Sequence, residues 1–296
     1  MKPRLPHPDE LSDPLNRVYR YPTAKALAPL LIRLGLRPNA ITGLHTLVGF
    51  SASYALLQDH YLASVALFEV RGILDCADGV VARLTGKGSP HGHAIDALGD
   101  SLSFVVFVGV LVTKLMEADF PPLLSFTLGL GLLLTTALAG IFHDQFKMQI
   151  ADVLLGRPDR LAAEWKRLKA GSEKNLGLTR LRFWFLDTSL KLASQPYALQ
   201  LRRAPRLAVP LTEELTPSRE LRALIRAVSL VGGDNVLALL SFGLLAVALS
   251  PVPFHASVWV GTVVGSILYS VASVPHVFYR FSKFYQTLAS KPERKS

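Results

Sequence analysis

The chain has 296 residues, half of them hydrophobic and 18% charged, with a mean hydropathy of +0.33 and a formal net charge of +10. A soluble domain carries about 25% charged residues, so high hydropathy with excess base points to a membrane protein with basic loops, not to a soluble nucleic-acid binder. The single cysteine, Cys76, excludes a disulfide scaffold and a multi-cysteine zinc site, and the composition excludes disorder, collagen and coiled coil.

In chain order, Pro14–Leu34 comes first. It sets Leu15, Val18, Tyr19, Ala24, Leu27, Leu30 and Leu31 among Arg17, Arg20, Lys25 and Arg33, the pattern of an amphipathic helix lying in the membrane interface with its base toward anionic headgroups. Packing on a soluble partner is the alternative. The first 35 residues are mixed polar and charged, so no cleavable signal peptide is expected. Six apolar spans follow, at roughly 41–57, 61–83, 94–115, 122–142, 234–250 and 257–279. The expected fold is all-α integral membrane: six transmembrane helices, an N-terminal amphipathic interfacial helix, and a helical cytoplasmic insert between the fourth and fifth spans.

The loops Gln58–His60, Met116–Pro121 and Ser250–Ala256 contain no Lys or Arg, and Lys114 is the base nearest to them. The positive-inside rule then places both termini and the long loop in the cytoplasm. The chain divides into a cytoplasmic amphipathic interfacial segment (1–38), four spans (39–145), a basic cytoplasmic insert (146–230), two further spans (231–280) and a cytoplasmic tail (281–296). The insert holds 16 Lys/Arg, with Arg202, Arg203 and Arg206 clustered near prolines, and amphipathic helical patterns at 159–170, 178–193 and 219–231. It reads as a membrane-hugging segment, with a nucleic-acid or protein partner site as the alternative. No RNA-binding signature or Gly-rich phosphate loop accompanies it.

Chemistry is concentrated in residues 74–100. Asp75 and Asp78 are three apart on the second span, and Asp96 and Asp100 four apart on the third, so each pair faces one way on its helix. The short turn between the spans makes them antiparallel neighbours, and the pairs can converge. Counting ~1.5 Å per residue from Tyr61 puts Asp75 about 21 Å along a hydrocarbon core of ~30 Å. A bare carboxylate there costs at least ~2.5 kcal/mol, and the local bases are Arg71, Arg83 and Lys87. An all-oxygen cluster suits Mg²⁺ or Mn²⁺, and four carboxylates suit two ions. Gly79 and Ala82 keep one helix face low, Arg83 can fork onto a phosphate, and Gly86, Gly88, Ser89 and Pro90 form a turn before Gly92 opens the next helix. These residues point to a metal–diphosphate site.

Asp75, Asp78, Gly79, Ala82, Arg83, Gly92, Asp96 and Asp100 fit D-x2-D-G-x2-A-R-x8-G-x3-D-x3-D, and the stretch resembles the signature of the CDP-alcohol phosphotransferases, class I. The resemblance implies transfer of a substituted phosphoryl group from a CDP-linked alcohol to a hydroxyl, with release of CMP. It implies metal ligation by Asp75, Asp78, Asp96 and Asp100, with Asp100 also the general base. Contacts to the cytidine diphosphate are implied for Asn39, Thr42, Gly79, Ala82, Arg83 and Ser89, with Gly92 structural. The expected donor is CDP-diacylglycerol and the expected acceptor a small polar alcohol, at a cytoplasmic site in a bacterial-type inner membrane. Homodimerisation is implied by resemblance alone; no nucleic-acid partner is expected. The alternatives are a CDP-choline or CDP-ethanolamine donor with diacylglycerol as acceptor, a non-enzymatic divalent-ion transporter using the same aspartates, and an inactive relative serving as a scaffold.

Other polar residues carry weaker expectations. Cys76 is expected to pack. His91 and His93 are read as loop residues, and His276 and Arg280 as interfacial anchors or phosphate contacts. His143 and Asp144 either position the acceptor or end the fourth span. Glu69 and Arg71 are expected to pair with each other inside the bundle.

Overall fold

The computed structural model describes residues 8–88, 92–155, 218–250 and 256–289, with a few positions between 163 and 187. Ser89 and His91, and most of the patterns at 159–170 and 178–193 with the Arg202 cluster, lie outside the described residues. Among the described residues every regular element is helical. A short 3₁₀ turn (Pro8–Leu11) and a π turn (Asn16–Arg20) precede α1 (Tyr21–Arg33), α2 (Pro38–Leu57), α3 (Tyr61–Thr85), α4 (Gly92–Glu117), α5 (Pro122–Leu154), α6 (Arg219–Ser229), α7 (Gly233–Ala248) and α8 (Ala256–Ala289). Four of them, α2, α4, α5 and α8, are long and apolar enough to cross a membrane, or five spans if α6 and α7 count as one broken span. Charged Glu69, Arg71, Asp75, Asp78 and Arg83 keep α3 out of that set, and α7 has only 16 residues.

The chain divides into two compact units. One comprises Asp13–Ala137 and Gly233–Ser270, the other Met1–Ser12, Leu138–Gly232 and Val271–Ser296. In the first, α3 packs on α1, α2 and α7, and α2 also packs on α4. Pro38 at the start of α2 suits a position whose N–H has no helical partner, and Gly86 ends α3 in a left-handed conformation at φ 65°. Ala24, Ala28 and Leu31 lie one turn apart on α1 and are buried with Ile41, Ala77, Val80 and Val81. A second apolar cluster joins Ala52 and Leu56 to Phe68, Phe107, Leu111, Leu115 and the fully buried Trp259, with Phe68 and Phe107 edge to face at 4.9 Å. Thus α2 is apolar at one end of its buried stripe and polar at the other, where Thr42 and His45 are buried.

Close approach of α2 to α4 depends on Gly49. A Cβ at that position would stand 2.8 Å from Ser103 Oγ and 3.1 Å from Arg71 Cδ, so any larger residue would displace the two side chains that pass it. Arg20 departs from the surface position expected of it: it is 3% exposed and turns inward to Glu69 Oε1 at 3.0 Å. Gly72 admits it, since a Cβ there would lie 2.8 Å from the guanidinium carbon.

Lys114, the isolated base of α4, is held by Asp59 at 2.9 Å and Glu117 at 2.8 Å. Burial is the largest influence on the Asp59 carboxyl and opposes its ionisation. The hydrogen bonds from Tyr61 and Lys114, with the Lys114 charge, outweigh it and hold the group below its ordinary value of 3.8. Ionised Asp59 therefore favours the folded state at neutral pH, and that contribution disappears as pH falls through the lowered value. Asp59→Asn is expected to lower the thermal midpoint slightly at pH 7, because a mostly exposed pair is screened by water. The gap to wild type should close as pH drops below 3.8; a gap that widens toward acid would contradict this.

In the second unit, Ser218 caps α6 by accepting the Leu221 N–H at 3.0 Å, and Leu221, Leu224, Ile225 and Val228 face inward. They are buried with Leu11, Ala139, Phe142, Phe146 and Ile150, while Phe278 sits edge to face with both Phe142 and Phe146. His143 lies within α5 and not at its end; its Nδ1 is 2.9 Å from the Val228 carbonyl oxygen, a packing role.

Candidate metal and active site

The second turn of α2, the C-terminal half of α3 and the start of α4 meet around four acidic side chains. His45, Asp75, Asp96 and Asp100 each offer a ligand atom, and these atoms all lie within 4.8 Å of one another. Donors bound to one ion at about 2.0–2.6 Å stand no more than roughly 5 Å apart, so the donor set fits a divalent cation. Asp78 stands beside this set: its Oδ2 accepts the Thr42 hydroxyl at 2.6 Å and lies 3.9 Å from His45 Nε2.

The spacing on each helix explains the convergence. Asp75 and Asp78 share one face of α3, Asp96 and Asp100 one face of α4, and α2 packs against both helices. Arg71, one turn before Asp75, reaches Asp100 Oδ1 through Nη2 at 2.5 Å and is itself buried. The expected Glu69–Arg71 pair does not form. Residues two apart on a helix point in different directions, and Glu69 instead meets Arg20 and the hydroxyl of Tyr19. Arg20 Nη1 also donates to Asn16 Oδ1 at 3.2 Å, and Asn16 Nδ2 donates to Asp234 Oδ2 at 2.5 Å. Through this chain the segment before α1 is tied to α3 and α7, and Asp234 is brought within electrostatic reach of Asp75 and Asp100.

The remaining expected residues fall around the cluster. Thr42 is buried against Asp78, while Asn39 is exposed one turn earlier. Arg83 is exposed on the last turn of α3; a Cβ added at Gly79 would lie 3.3 Å from its Nη1, so the guanidinium lies over the glycine, with Ala82 half-buried beside it. Gly92 opens α4, and Cys76 is buried among apolar side chains. A groove of about 680 Å³ runs between α2 and α4, lined by Leu36, Asn39, Thr42, Leu47, Ile95 and Leu98 among others. His276 and Arg280 belong to the other compact unit, on α8, with Arg280 Nε 3.5 Å from His276 Nε2.

Sequence reasoning missed His45, Asp234 and the Asn16–Arg20–Glu69 chain. A histidine one turn after Thr42 within an apolar span was a visible signal, since an ionisable residue inside a membrane segment is costly. The Asp234 connection depends on long-range packing and left no local trace.

Carboxylates gathered from two helices of an apolar bundle, spaced to hold a divalent ion, define a polytopic all-helical protein with a candidate metal centre. Residues 36–169 match the family model described as CDP-alcohol phosphatidyltransferase. Over that stretch, a little under half of its length, the chain is similar to that transferase family. It is similar to the CDP-diacylglycerol–serine O-phosphatidyltransferase of Mycobacterium leprae (strain TN), 30% identical over 99 residues, covering 33% of each chain. It is also similar to the archaetidylinositol phosphate synthases of Pyrococcus horikoshii, 38% identical over 37% of this chain and 54% of the relative, and of Aeropyrum pernix, 34% identical over 30% and 46%. The matched segments thus span a third to about half of these relatives. No solved structure matches the chain.

Proposed function

We propose that the protein is a metal-dependent phosphatidyltransferase that moves the phosphatidyl group of CDP-diacylglycerol to the hydroxyl of a small polar alcohol. The observation that carries this reading is the convergence of Asp75, Asp96 and Asp100, with Asp78 beside them, in the domain that bears the family signature. In this reading α3 and α7 also cross the bilayer, giving six spans, and the π turn and α1 lie at the interface with Val18 and Leu30 left exposed for lipid. The base-rich loops support a site and both termini on the cytoplasmic side, in the inner membrane of a bacterial-type cell. A homodimer is the proposed assembly.

Each residue then has a task. Asp75, Asp78, Asp96 and Asp100 would hold Mg²⁺ or Mn²⁺, as two ions. A divalent metal held there would supply positive charge against the diphosphate and against the charge that develops on the departing CMP. Arg83, at the mouth of the site, forks onto a phosphate, and Asn39, Thr42, Gly79, Ala82 and Ser89 line the cytidine diphosphate. Asp100 accepts the proton of the acceptor hydroxyl as its oxygen attacks the phosphorus remote from cytidine. The bond from that phosphorus to the bridging oxygen breaks, and CMP leaves with the oxygen. Arg71 holds Asp100 in position. The apolar groove starting at Asn39 and Thr42 suits an acyl chain of the lipid donor.

The test offers the purified protein CDP-diacylglycerol with separate acceptors: serine, inositol, inositol phosphate, glycerol phosphate, choline and ethanolamine. Lipid products are read by mass spectrometry. One new phospholipid, formed only with CDP-diacylglycerol, is expected. Product formed only from CDP-choline or CDP-ethanolamine with diacylglycerol would reverse the donor and acceptor roles. No product from any pairing would point to transport or scaffolding.

A further inference from the structure

His45 is fully buried, and its two ring nitrogens have different surroundings. Nε2 lies 3.2 Å from Asp96 Oδ1 and 3.9 Å from Asp78 Oδ2. Nδ1 has no hydrogen-bond partner and faces Asp100 Oδ1 at 3.8 Å, beyond hydrogen-bond reach. A neutral imidazole with its proton on Nε2 donates to Asp96 and leaves the Nδ1 lone pair on the side of Asp100. That is the arrangement of a metal-bound histidine, in which one nitrogen ligates and a carboxylate holds the N–H of the other.

A histidine whose role is only to pack would have both nitrogens satisfied or would sit among apolar side chains. His45 instead contacts three of the four signature carboxylates, and its ligand atom falls within the same 4.8 Å set as those of Asp75, Asp96 and Asp100.

We propose that His45 is a nitrogen ligand of the metal centre, through Nδ1, and that it makes the centre select Mn²⁺ over Mg²⁺. Imidazole is a softer donor than carboxylate and favours transition-metal ions, whereas Mg²⁺ favours oxygen and keeps its water. A purely carboxylate centre has no such preference built in. This inference rests on the metal-binding part of the proposed function, and it adds a ligand that the aspartate signature does not contain.

The test uses Mn²⁺ as the probe on the purified full-length chain without nucleotide or lipid substrate. Pulsed electron paramagnetic resonance reads nitrogen coupled to the bound ion, in protein made with natural and with ¹⁵N-labelled histidine. Directly bonded histidine nitrogen is expected, with the pattern changing on labelling. It should be lost in His45→Gln, and Asp96→Asn should weaken Mn²⁺ binding itself. The ratio of Mg²⁺ to Mn²⁺ dissociation constants should fall about tenfold in His45→Gln, because loss of the imidazole weakens Mn²⁺ binding more than Mg²⁺ binding. Mn²⁺ bound at the aspartates without histidine coupling would overturn the inference and leave the metal centre standing. Histidine coupling that survives in His45→Gln would assign the ligand elsewhere. Failure of wild type to bind Mn²⁺ at all would overturn both. Should His45→Gln not fold, the wild-type isotope comparison still decides whether histidine is bound.

Discussion

Asp100→Asn is expected to reduce CMP release by about 10²–10⁴-fold, the range associated with a lost general base. Asparagine keeps the size and planarity of the side chain but cannot take a proton from a hydroxyl, and as a ligand it is neutral. The fold should survive, because Arg71 remains within electrostatic reach of Asp75 when the Asp100 charge is gone. The loss should therefore appear mainly in kcat, with the concentration of donor needed for half-saturation changing much less. Steady-state CMP release across a donor titration separates the two quantities. Activity within tenfold of wild type would move the base to another residue and leave Asp100 as a ligand alone.

Arg71→Met is expected to affect stability in a metal-dependent way. Arg71 is the buried cation on Asp100, and the Asp100 side chain is itself 39% exposed. Methionine keeps much of the stem's volume but leaves the carboxylate cluster without its guanidinium. A hydrogen-bonded charge left unpaired costs about 2–3 kcal/mol, toward the lower end of what a fully buried pair would lose because water reaches Asp100. A divalent cation can supply the missing positive charge. The thermal midpoint should thus fall clearly in chelator, and Mn²⁺ should raise it more in the variant than in wild type. Equal increments in the two proteins would show that Arg71 and the ion do not act on the same carboxylates.

Much of this arrangement was legible because it is local. The i, i+3 and i, i+4 spacing of the aspartates places each pair on one helix face whatever the rest of the chain does, and a short turn leaves their helices few ways to pack. Helix positions were legible for the same reason: apolar runs beginning near Pro38, Tyr61, Pro122 and Ala256 become helices at those residues. The length of α5 was not. Its apolar stretch stops near Phe142, but the helix continues to Leu154, because Phe146 and Ile150 extend a buried stripe that hydropathy averaging does not register.

Charge partners were the least legible feature. Arg71 had Glu69 two residues away and Asp100 twenty-nine away, and helix geometry favours the distant one. Arg20 looked like a base for the interface until Gly72 opened a place for it on α3 beside Glu69. His45 could have been singled out, since it lies on the same stripe of α2 as Thr42 and Gly49. Its significance became visible only once α2 was set between α3 and α4.

The proposed metal centre of a CMP-releasing transferase is the carboxylate cluster of α3 and α4. The most direct measurement is CMP release from CDP-diacylglycerol by the purified protein with the acceptor pool, in Mn²⁺ and then in excess chelator. Release is expected to stop on chelation, to return on re-addition of Mn²⁺, and to fall about 10²-fold or more in Asp100→Asn under the same conditions. Release that continues at full rate in chelator, or equally fast from Asp100→Asn, would contradict it.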